Sequence, residues 1–176
     1  MEHPEFCIDF RPLEDGDLPD LHAWLNDPAI VEWWEGKDVS WAAVQRDYGT
    51  PHTGIAEHWV ALLGGEPIGW IQCYSAKRAQ DAETQYWSTF LDLERTGGID
   101  YLIGRTKHRG RGFGSEMIRA FARKIALPRH PEWEHLAAGP FEANRPSCRA
   151  LRKAGFQKRA TLDDPDGACT LMVLDR

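Results

Sequence analysis

The stretch GIDYLIGRTKHRGRGFGSEMIRAF, residues 98–121, constrains the fold more than any other part of this sequence. It opens with an apolar run that ends on Gly104, which is typical of a strand. A turn with three glycines and several basic side chains comes next, and apolar residues then recur at helical spacing at Met117, Ile118 and Phe121. This order brings successive backbone N–H groups and the positive end of a helix dipole to one point, which favours a phosphate-binding turn.

The rest of the sequence is typical of short strands and helices. Strands are expected at 6–11, in a hairpin at 58–74 that turns at Gly64-Gly65, at HLAAG (135–139), and at 156–162 and 169–174. Helices are expected over 18–25 with Asp17 as the cap, over 41–48 with Ser40 as the cap, from the glycine turn to Pro128, and over 145–153 before Gly155. Residues 27–36 are interpreted as a loop or helix end, and residues 75–97 as a long loop without periodicity. This order predicts an α/β (α+β) fold with one mixed sheet and helices on both faces.

Length, composition and charge exclude several classes of protein. The 176 residues, 42% of them hydrophobic, are sufficient for one domain, 1–176, with a sizeable core. The net charge of −6 argues against general nucleic-acid binding, which needs a basic face. The N-terminus lacks the pattern of a signal peptide and no apolar run approaches the ~20 residues of a membrane span, so a cytoplasmic protein without membrane association is expected. The four cysteines are scattered, which predicts unpaired thiols and no metal site.

The glycine turn at 109–114 admits three phosphate-binding interpretations. A Walker loop requires a lysine after its last glycine, where this sequence has Ser115. A dinucleotide fingerprint requires G-x-G-x-x-G early in a β-α-β unit, whereas the spacing here is G-x-G-x-G late in the chain. The third interpretation is an R-G-x-G-x-G turn that holds a pyrophosphate between a strand and a helix, and a flexible basic turn is the alternative to all three.

Two segments together point to a family. IDYLIGRTKHRGRGFGSEMI, followed by NRPSCRALRKAGF at 144–156, resembles the Gcn5-related N-acetyltransferases (GNAT), whose Q/R-x-x-G-x-G/A turn binds the pyrophosphate of acetyl-CoA. The runs WLNDPAIVEWWEG, GEPIGWIQCY, GGID and PDGACTLMV are similar to the aminoglycoside 6′-N-acetyltransferases of that superfamily. The resemblance covers nearly the whole chain. It implies the GNAT fold, a mixed and mostly antiparallel sheet of about six to seven strands, with acetyl-CoA as cofactor.

The resemblance implies cofactor-binding residues in the strand after Asp100, in the glycine turn and in the second segment. They are Tyr101, Leu102, Ile103, Arg109, Gly110, Arg111, Gly112, Phe113, Gly114, Ser115, Asn144, Ser147 and Lys153. The backbone N–H groups of Tyr101 to Ile103 are expected to hold the pantetheine arm and to polarise the thioester carbonyl.

Asp100 is the expected catalytic residue. A carboxylate inside the apolar strand GIDYLIG must be desolvated, paired or functional. The resemblance implies that the aspartate of GID orients the attacking amine and helps to take its proton, because a primary amine attacks a thioester only when it is neutral. Direct transfer is therefore expected, rather than a route through an acetylated cysteine.

The expected substrate is a cationic small-molecule amine, in the first place an aminoglycoside, and its binding requires carboxylates and aromatic faces. The substrate-binding candidates are Trp33, Trp34, Tyr48, Glu83, Trp87, Asp100, Glu142 and Asp166. Of the adjacent pair Trp33 and Trp34, one is expected in the core and one in the pocket. Trp24 and Trp59 are expected in the core.

The sequence departs from the family pattern at two positions. Leu151 stands where many of these enzymes carry a tyrosine that protonates the leaving thiolate. Gly139 stands where the 6′-enzymes carry a substrate-binding aspartate, for which Glu142 is a candidate substitute, whereas Asp166 matches a substrate-contacting acid of the family. The alternatives are an acyltransferase for another small amine, such as a hydroxylysine-type siderophore precursor, and a non-catalytic acyl-CoA-binding module. The sequence leaves both a monomer and a homodimer open.

Overall fold

A seven-stranded sheet forms the centre of the computed structural model, which describes residues 7–34 and 36–176. The strands are β1 (Ile8–Pro12), β2 (Glu57–Leu63), β3 (Glu66–Ser75), β4 (Thr96–Ile103), β5 (His135–Ala138), β6 (Gln157–Leu162) and β7 (Cys169–Asp175). Their spatial order is β1-β2-β3-β4-β5-β7-β6, and every neighbouring pair is antiparallel except β4 and β5. The predicted mixed, mostly antiparallel sheet is confirmed. Phe6, where the first strand was expected to begin, lies outside the described residues.

Short helices connect the strands. They are α1 (Leu18–Leu25), α2 (Pro28–Val31), α3 (Trp41–Tyr48), α4 (Ala76–Ala79), α5 (Ala82–Trp87), α6 (Phe113–Phe121), α7 (Leu127–Arg129) and α8 (Arg145–Ala154). In the part of the chain that the structure describes, no helix is long and apolar enough to cross a bilayer.

The helices cover both faces of the sheet, as predicted. On one face, α1, α2 and α3 pack against Trp70 and Leu102, and α4 and α5 pack further along the sheet against Ala137. On the other face, α6 and α8 pack against Ile71 and Leu136. Consecutive strand residues point to opposite faces, so each strand contributes to both layers of the core.

Glycines and a serine set several boundaries where the sequence predicts them. Gly64 and Gly65 have φ angles of +57° and +82°, which permit the tight turn between β2 and β3. The Ser40 hydroxyl accepts a hydrogen bond from the Ala43 amide (3.3 Å) and caps α3. Gly155 ends α8 with a φ of +106°.

Residues 75–97 were predicted to be a long loop, and this prediction is wrong. The segment contains the end of β3, then α4 and α5, and a 3₁₀ turn at Leu93–Arg95. The Asp81 carboxylate accepts a hydrogen bond from the Thr84 amide (2.7 Å) and starts α5. Likewise α2 forms within 27–36 because Asp27 caps it by accepting from Ala29 (2.9 Å). Helices this short carry too few apolar residues to show a periodicity.

Two predicted helix boundaries also differ. Pro128 does not end the helix that follows the glycine turn, because one π-helical turn at Ala122–Ala126 joins α6 to α7. Asp17 does not cap α1 with its side chain; its carboxylate instead pairs with the Arg11 guanidinium (2.6 Å) and accepts from the Glu14 amide (2.9 Å). This pair lowers the pKa of Asp17.

The short pairing of β4 with β5 positions the site. The two strands pair only from Thr96 to Gly98 on β4. β4 continues to Ile103 along β3, whereas β5 ends at Ala138. The two strands therefore separate, and a gap opens in the sheet beside the second half of β4.

Candidate active site

A cleft of about 870 Å³ opens where β4 and β5 separate. Its walls come from β4, the glycine turn, the N-terminal parts of α6 and α8, the α2 region and α5. The volume lies towards the upper end of the range for ligand sites, which is about 300–1,000 Å³. This cleft brings together most of the residues that the sequence singled out.

The glycine turn forms one end of the cleft. Gly110 and Gly112 have positive φ angles of +70° and +89°, and Gly112 is the residue at which α6 begins. No atom lies within 4 Å of the position that a Cβ would take at either glycine. Gly114 and Ser115 line the cleft beside them. The backbone is thus bare where an anion would meet the N–H groups and the helix dipole.

Arg109 holds this turn in place. Its Nε donates to the Ile103 carbonyl (2.9 Å), its Nη2 donates to the Gly104 carbonyl (2.8 Å), and the same nitrogen pairs with the Asp27 carboxylate (3.0 Å). The guanidinium also lowers the pKa of Asp27. Arg109 lines the cleft, but its side chain is committed to fixing the turn at the end of β4.

The side chains of Arg111 and Phe113, two of the expected cofactor-binding residues, do not line the cleft. Arg111 is exposed, lies over the Phe113 ring (5.8 Å) and donates to the Lys107 carbonyl, outside the cleft. Phe113 is buried in the core below α6. The backbone N–H groups of both residues still belong to the glycine turn.

The second segment forms the facing wall. The Asn144 side chain accepts from the Ser147 amide (3.3 Å) and caps α8, and Asn144, Ser147, Arg149 and Lys153 line the cleft. The two cations among them, Arg149 and Lys153, face the same cavity as the glycine turn. Bare N–H groups, two helix N-termini and basic side chains are a donor set that fits the phosphates of acetyl-CoA. Tyr101, Leu102 and Ile103 line the cleft next to it, where β4 has left β5.

Asp100 lies half-buried at the centre of the cleft. Burial raises the pKa of its carboxyl group, against the hydrogen bond from the Gln72 amide (2.6 Å) and the charge of Lys37. Sequence reasoning missed Gln72. Gln72 on β3 pairs directly with Asp100 on β4, and this strand register is not specified by a single sequence.

Trp33, Trp34 and Tyr48 form an aromatic wall of the cleft. The prediction that one tryptophan of the pair is in the core is wrong, because both are half-buried and both line the cleft. Trp34 packs edge-on against Trp70 (5.9 Å) and hydrogen-bonds to Tyr48, and burial raises the pKa of Tyr48 to about 12. His58 packs behind Tyr48, and burial lowers its pKa to about 4. Trp24 and Trp59 are buried in the core, as predicted.

Carboxylates line the part of the cleft that faces α2 and α5; they are Glu32, Asp81, Glu83 and Asp100. Glu83 on α5 lies directly over Gly139, where an added Cβ would overlap its carboxylate. Glu142, the expected substitute for the missing aspartate at 139, is exposed outside the cleft and pairs with Lys158 (3.0 Å). The prediction for Glu142 is therefore wrong, and Glu83 occupies the space beside Gly139.

Asp166 lies in an adjoining pocket of about 350 Å³. Glu32, Trp33 and Phe141 line both this pocket and the main cleft, so these three residues separate two neighbouring cavities. Asp166 is thus next to the substrate end rather than within it.

Trp87 does not reach the cleft, and its predicted role in substrate binding is wrong. It is 1% exposed and packs with Ala76, Ala137 and Leu171 between α5 and the sheet. Thr84 and Trp87 form the buried face of α5, whereas Glu83 lies on another face of the helix and lines the cleft.

Three side chains that can bind metals meet elsewhere in the fold, namely Glu57, Cys73 and His130. The Glu57 carboxylate already accepts from Arg129 (2.9 Å) and lies 2.6 Å from His130 Nε2. Burial raises the pKa of the Cys73 thiol to about 12. The half-buried Glu57 carboxylate is thus already engaged by Arg129 and His130.

An acetyl-CoA-dependent acyltransferase is the class that this fold and site define. The sheet opens between two parallel strands, a glycine turn at a helix N-terminus lies at one end of the gap, and a half-buried carboxylate lies at its centre. The chain belongs to the GNAT acetyltransferase family: the acetyltransferase (GNAT) domain matches residues 14–164. It uses acetyl-CoA, and the predicted GNAT fold is confirmed.

Within this family, the chain is similar to aminoglycoside 6′-N-acetyltransferases. The chain is 33% identical over 174 residues to aminoglycoside N(6′)-acetyltransferase type 1 of Klebsiella pneumoniae. The alignment covers 96% of this chain and 83% of that protein. The aminoglycoside 6′-acetyltransferase AAC(6′)-Ib, solved with paromomycin and acetyl-CoA, superposes with a TM-score of 0.83 at 33% identity, over 96% of this chain and 93% of that one. The complex of AAC(6′)-Ib with coenzyme A and kanamycin superposes with a TM-score of 0.82 at 32% identity. The superposition covers 97% of this chain and 95% of that one.

Proposed function

We propose that this enzyme transfers the acetyl group of acetyl-CoA to the 6′-amine of an aminoglycoside antibiotic by direct attack of the amine. One observation carries the proposal. The half-buried Asp100 lies in a single cleft between a phosphate-binding turn and a wall of carboxylates and aromatic rings. A polycation with sugar rings needs that wall, and a thioester with a pyrophosphate tail needs that turn. The names of the relatives support the same substrate.

The cofactor supplies an activated acetyl group as a thioester. The N–H groups of the glycine turn and the cations of α8 hold its phosphates. The backbone of Tyr101 to Ile103, which has no β5 neighbour, holds the pantetheine arm and donates to the thioester carbonyl. These residues would hold the thioester on the same stretch of β4 that carries Asp100.

Asp100 takes the proton of the amine. Its raised pKa makes it a stronger base than an ordinary aspartate, and Gln72 fixes the orientation of the carboxylate. The neighbouring acids bind the other ammonium groups of the substrate and hold the 6′-amine near the thioester.

A covalent route through Cys148 has no support in the structure. Burial raises the pKa of this thiol, and its sulfur lies 3.5 Å from the Phe141 carbonyl. A protonated buried thiol is a poor nucleophile. Direct transfer therefore remains the proposal.

We also propose the cytoplasm as the place of action, since acetyl-CoA is available there. Acetylation of the 6′-amine removes one positive charge from the antibiotic. A resistance function follows from that loss of charge, because every contact that depends on the ammonium group is weakened.

Steady-state thiol release from acetyl-CoA tests the function. We expect turnover with kanamycin and much less with a lysine-derived hydroxylamine of the siderophore type. Asp100→Asn should lower turnover at least about tenfold while CoA binding, measured by calorimetry, is unchanged. Asp9→Asn, an exposed aspartate on β1, is the matched control and should leave turnover unchanged.

Two results would contradict the proposal. Higher turnover with the siderophore-type amine would reassign the substrate. Tight CoA binding without thiol release from any of these amines would identify a non-catalytic acyl-CoA-binding module.

A further inference from the structure

We propose that the phenolic hydroxyl of Tyr101, held by Ser147, protonates the sulfur of the leaving CoA. This assigns a catalytic role to the side chain of Tyr101, whose backbone alone entered the mechanism above. The proposal rests on the proposed acetyl transfer, and it concerns the half of the reaction that Asp100 does not serve.

Tyr101 and Asp100 are consecutive on β4, so their side chains lie on opposite faces of the sheet. Asp100 faces the carboxylates of the substrate end. Tyr101 points the other way, towards α8, where its hydroxyl lies 2.6 Å from the Ser147 hydroxyl. Both Tyr101 and Ser147 line the cleft at the gap between β4 and β5. The gap therefore has a base on one face and a hydroxyl pair on the other.

The structure offers few other donors at this point. Leu151, one helical turn after Ser147 on α8, is fully buried and has no proton to give. Tyr101 packs against the same core cluster that contains Leu151, so its ring approaches this part of α8 from the strand. Cys148 is buried and its sulfur lies at the Phe141 carbonyl.

Tyr101 remains a proton donor at physiological pH. Burial raises the pKa of its hydroxyl, and the hydrogen bond to Ser147 opposes that rise. Burial disfavours the phenolate, whereas Ser147 can donate to a phenolate oxygen and lessen that cost. The pair thus combines a reliably protonated donor with a partner for its conjugate base.

The proton balance of the reaction closes with these groups. The amine nitrogen forms a bond to the acetyl carbon and loses its proton to Asp100. As the carbon–sulfur bond breaks and its electron pair remains on sulfur, Tyr101 gives its proton to that sulfur. Ser147 donates to the phenolate, and water in the open cleft returns a proton to Tyr101 while Asp100 releases one. The products are the amide and the free thiol.

Equilibrium binding of CoA and of desulfo-CoA, which lacks the sulfur, tests the contact without turnover. At pH 9.5, above the usual thiol pKa of about 8.5, a bound thiolate accepts a charge-assisted hydrogen bond from Tyr101. The ratio of the desulfo-CoA Kd to the CoA Kd should be about tenfold higher in the wild type than in Tyr101→Phe. Tyr86→Phe is the matched control, since its hydroxyl bonds to the Thr161 carbonyl outside the cleft.

The outcomes separate a chemical role from a structural one. Equal ratios in the wild type and Tyr101→Phe would overturn the proposal, because a structural tyrosine affects both ligands alike. Turnover with kanamycin should also fall about tenfold or more in Tyr101→Phe, and unchanged turnover would overturn it as well. If Tyr101→Phe does not fold, the same ratio in Ser147→Ala decides: a lower ratio supports the proposal and an unchanged one contradicts it.

The test is independent of the aminoglycoside. If the wild type releases no thiol with kanamycin, the proposed function fails, but the two Kd ratios still show whether Tyr101 contacts the sulfur.

Discussion

At the scale of single residues, Asp100 shows how a functional group lowers the stability of the fold. Its carboxyl group is half-buried in the cleft, and this burial raises its pKa above that of the unfolded chain. The folded state therefore binds this proton more tightly than the unfolded state does. Above the usual carboxyl pKa of about 3.9, ionisation of Asp100 costs stability, and the cost grows until pH exceeds the folded-state pKa.

Asp100→Asn should therefore stabilise the protein at neutral pH. Asparagine is neutral and keeps an oxygen that accepts from Gln72. We expect a higher Tm at pH 7, by roughly 2–4 °C for each kcal/mol of penalty removed, measured by calorimetry. The gain should disappear below about pH 4, where the wild-type carboxyl is protonated in both states. A lower Tm than the wild type at pH 7, or a gain that does not depend on pH, would contradict this account.

Single residues also show what the sequence predicts well and where it stops. Asp100 was predictable because a carboxylate in an apolar strand must be compensated. The positions of Trp87 and Glu142 were not predictable, because the residue type does not say which way a side chain points. Trp87 points into the core, and Glu142 points outward to Lys158. Gln72 contacts Asp100 through strand register, which a single sequence does not specify at this distance.

At the scale of elements, α5 contributes a carboxylate to the substrate end of the cleft. Gly139 follows β5 and has no side chain, and the Glu83 carboxylate from α5 fills the space that a Cβ would take there. The family resemblance implies an acid at position 139, and the structure places an acid from another element in that space. The negative charge of the site is kept, but it is carried by a longer and more flexible side chain.

Gly139→Ala should test this arrangement. The added Cβ must displace the end of the Glu83 side chain, which is flexible, so the fold should remain stable. We expect an increase of several-fold in the KM for kanamycin, with Tm and the Kd for CoA unchanged. Glu83→Gln should raise the KM similarly, and the double variant should be no worse than either alone, since both remove one carboxylate from one place. Fully additive effects would show that the two residues act separately.

The elements differ in how far the sequence determines them. The β2–β3 hairpin and the glycine turn were predictable because Gly64, Gly65, Gly110 and Gly112 all need positive φ. Helices α4 and α5 were not, since four and six residues show no period and depend on packing against β5 and β7. Pro128 was predicted to end the helix, but a π-helical turn before it lets the helix continue.

At the scale of the whole molecule, the opening between β4 and β5 organises the chemistry. It joins the two faces of the sheet, so one thioester can meet Asp100 on one face and the Tyr101–Ser147 pair on the other. The N–H groups of the glycine turn and the cations of α8 lie at one end, and carboxylates from the α2 region, α5 and β4 lie at the other. An acidic protein of net charge −6 attracts a polycation overall, while its local basic end binds the anionic cofactor.

The position of the acetyl group on the product distinguishes transfer to the 6′-amine from transfer to any other group. Kanamycin and acetyl-CoA are incubated with the enzyme and the product is analysed by nuclear magnetic resonance, with paromomycin, which carries a hydroxyl in place of the 6′-amine, as the paired control. We expect one acetyl group on the 6′-nitrogen of kanamycin, with one thiol released per acetyl, and no acetylation of paromomycin. Acetylation at another amine, or equal acetylation of paromomycin, would contradict the proposed function.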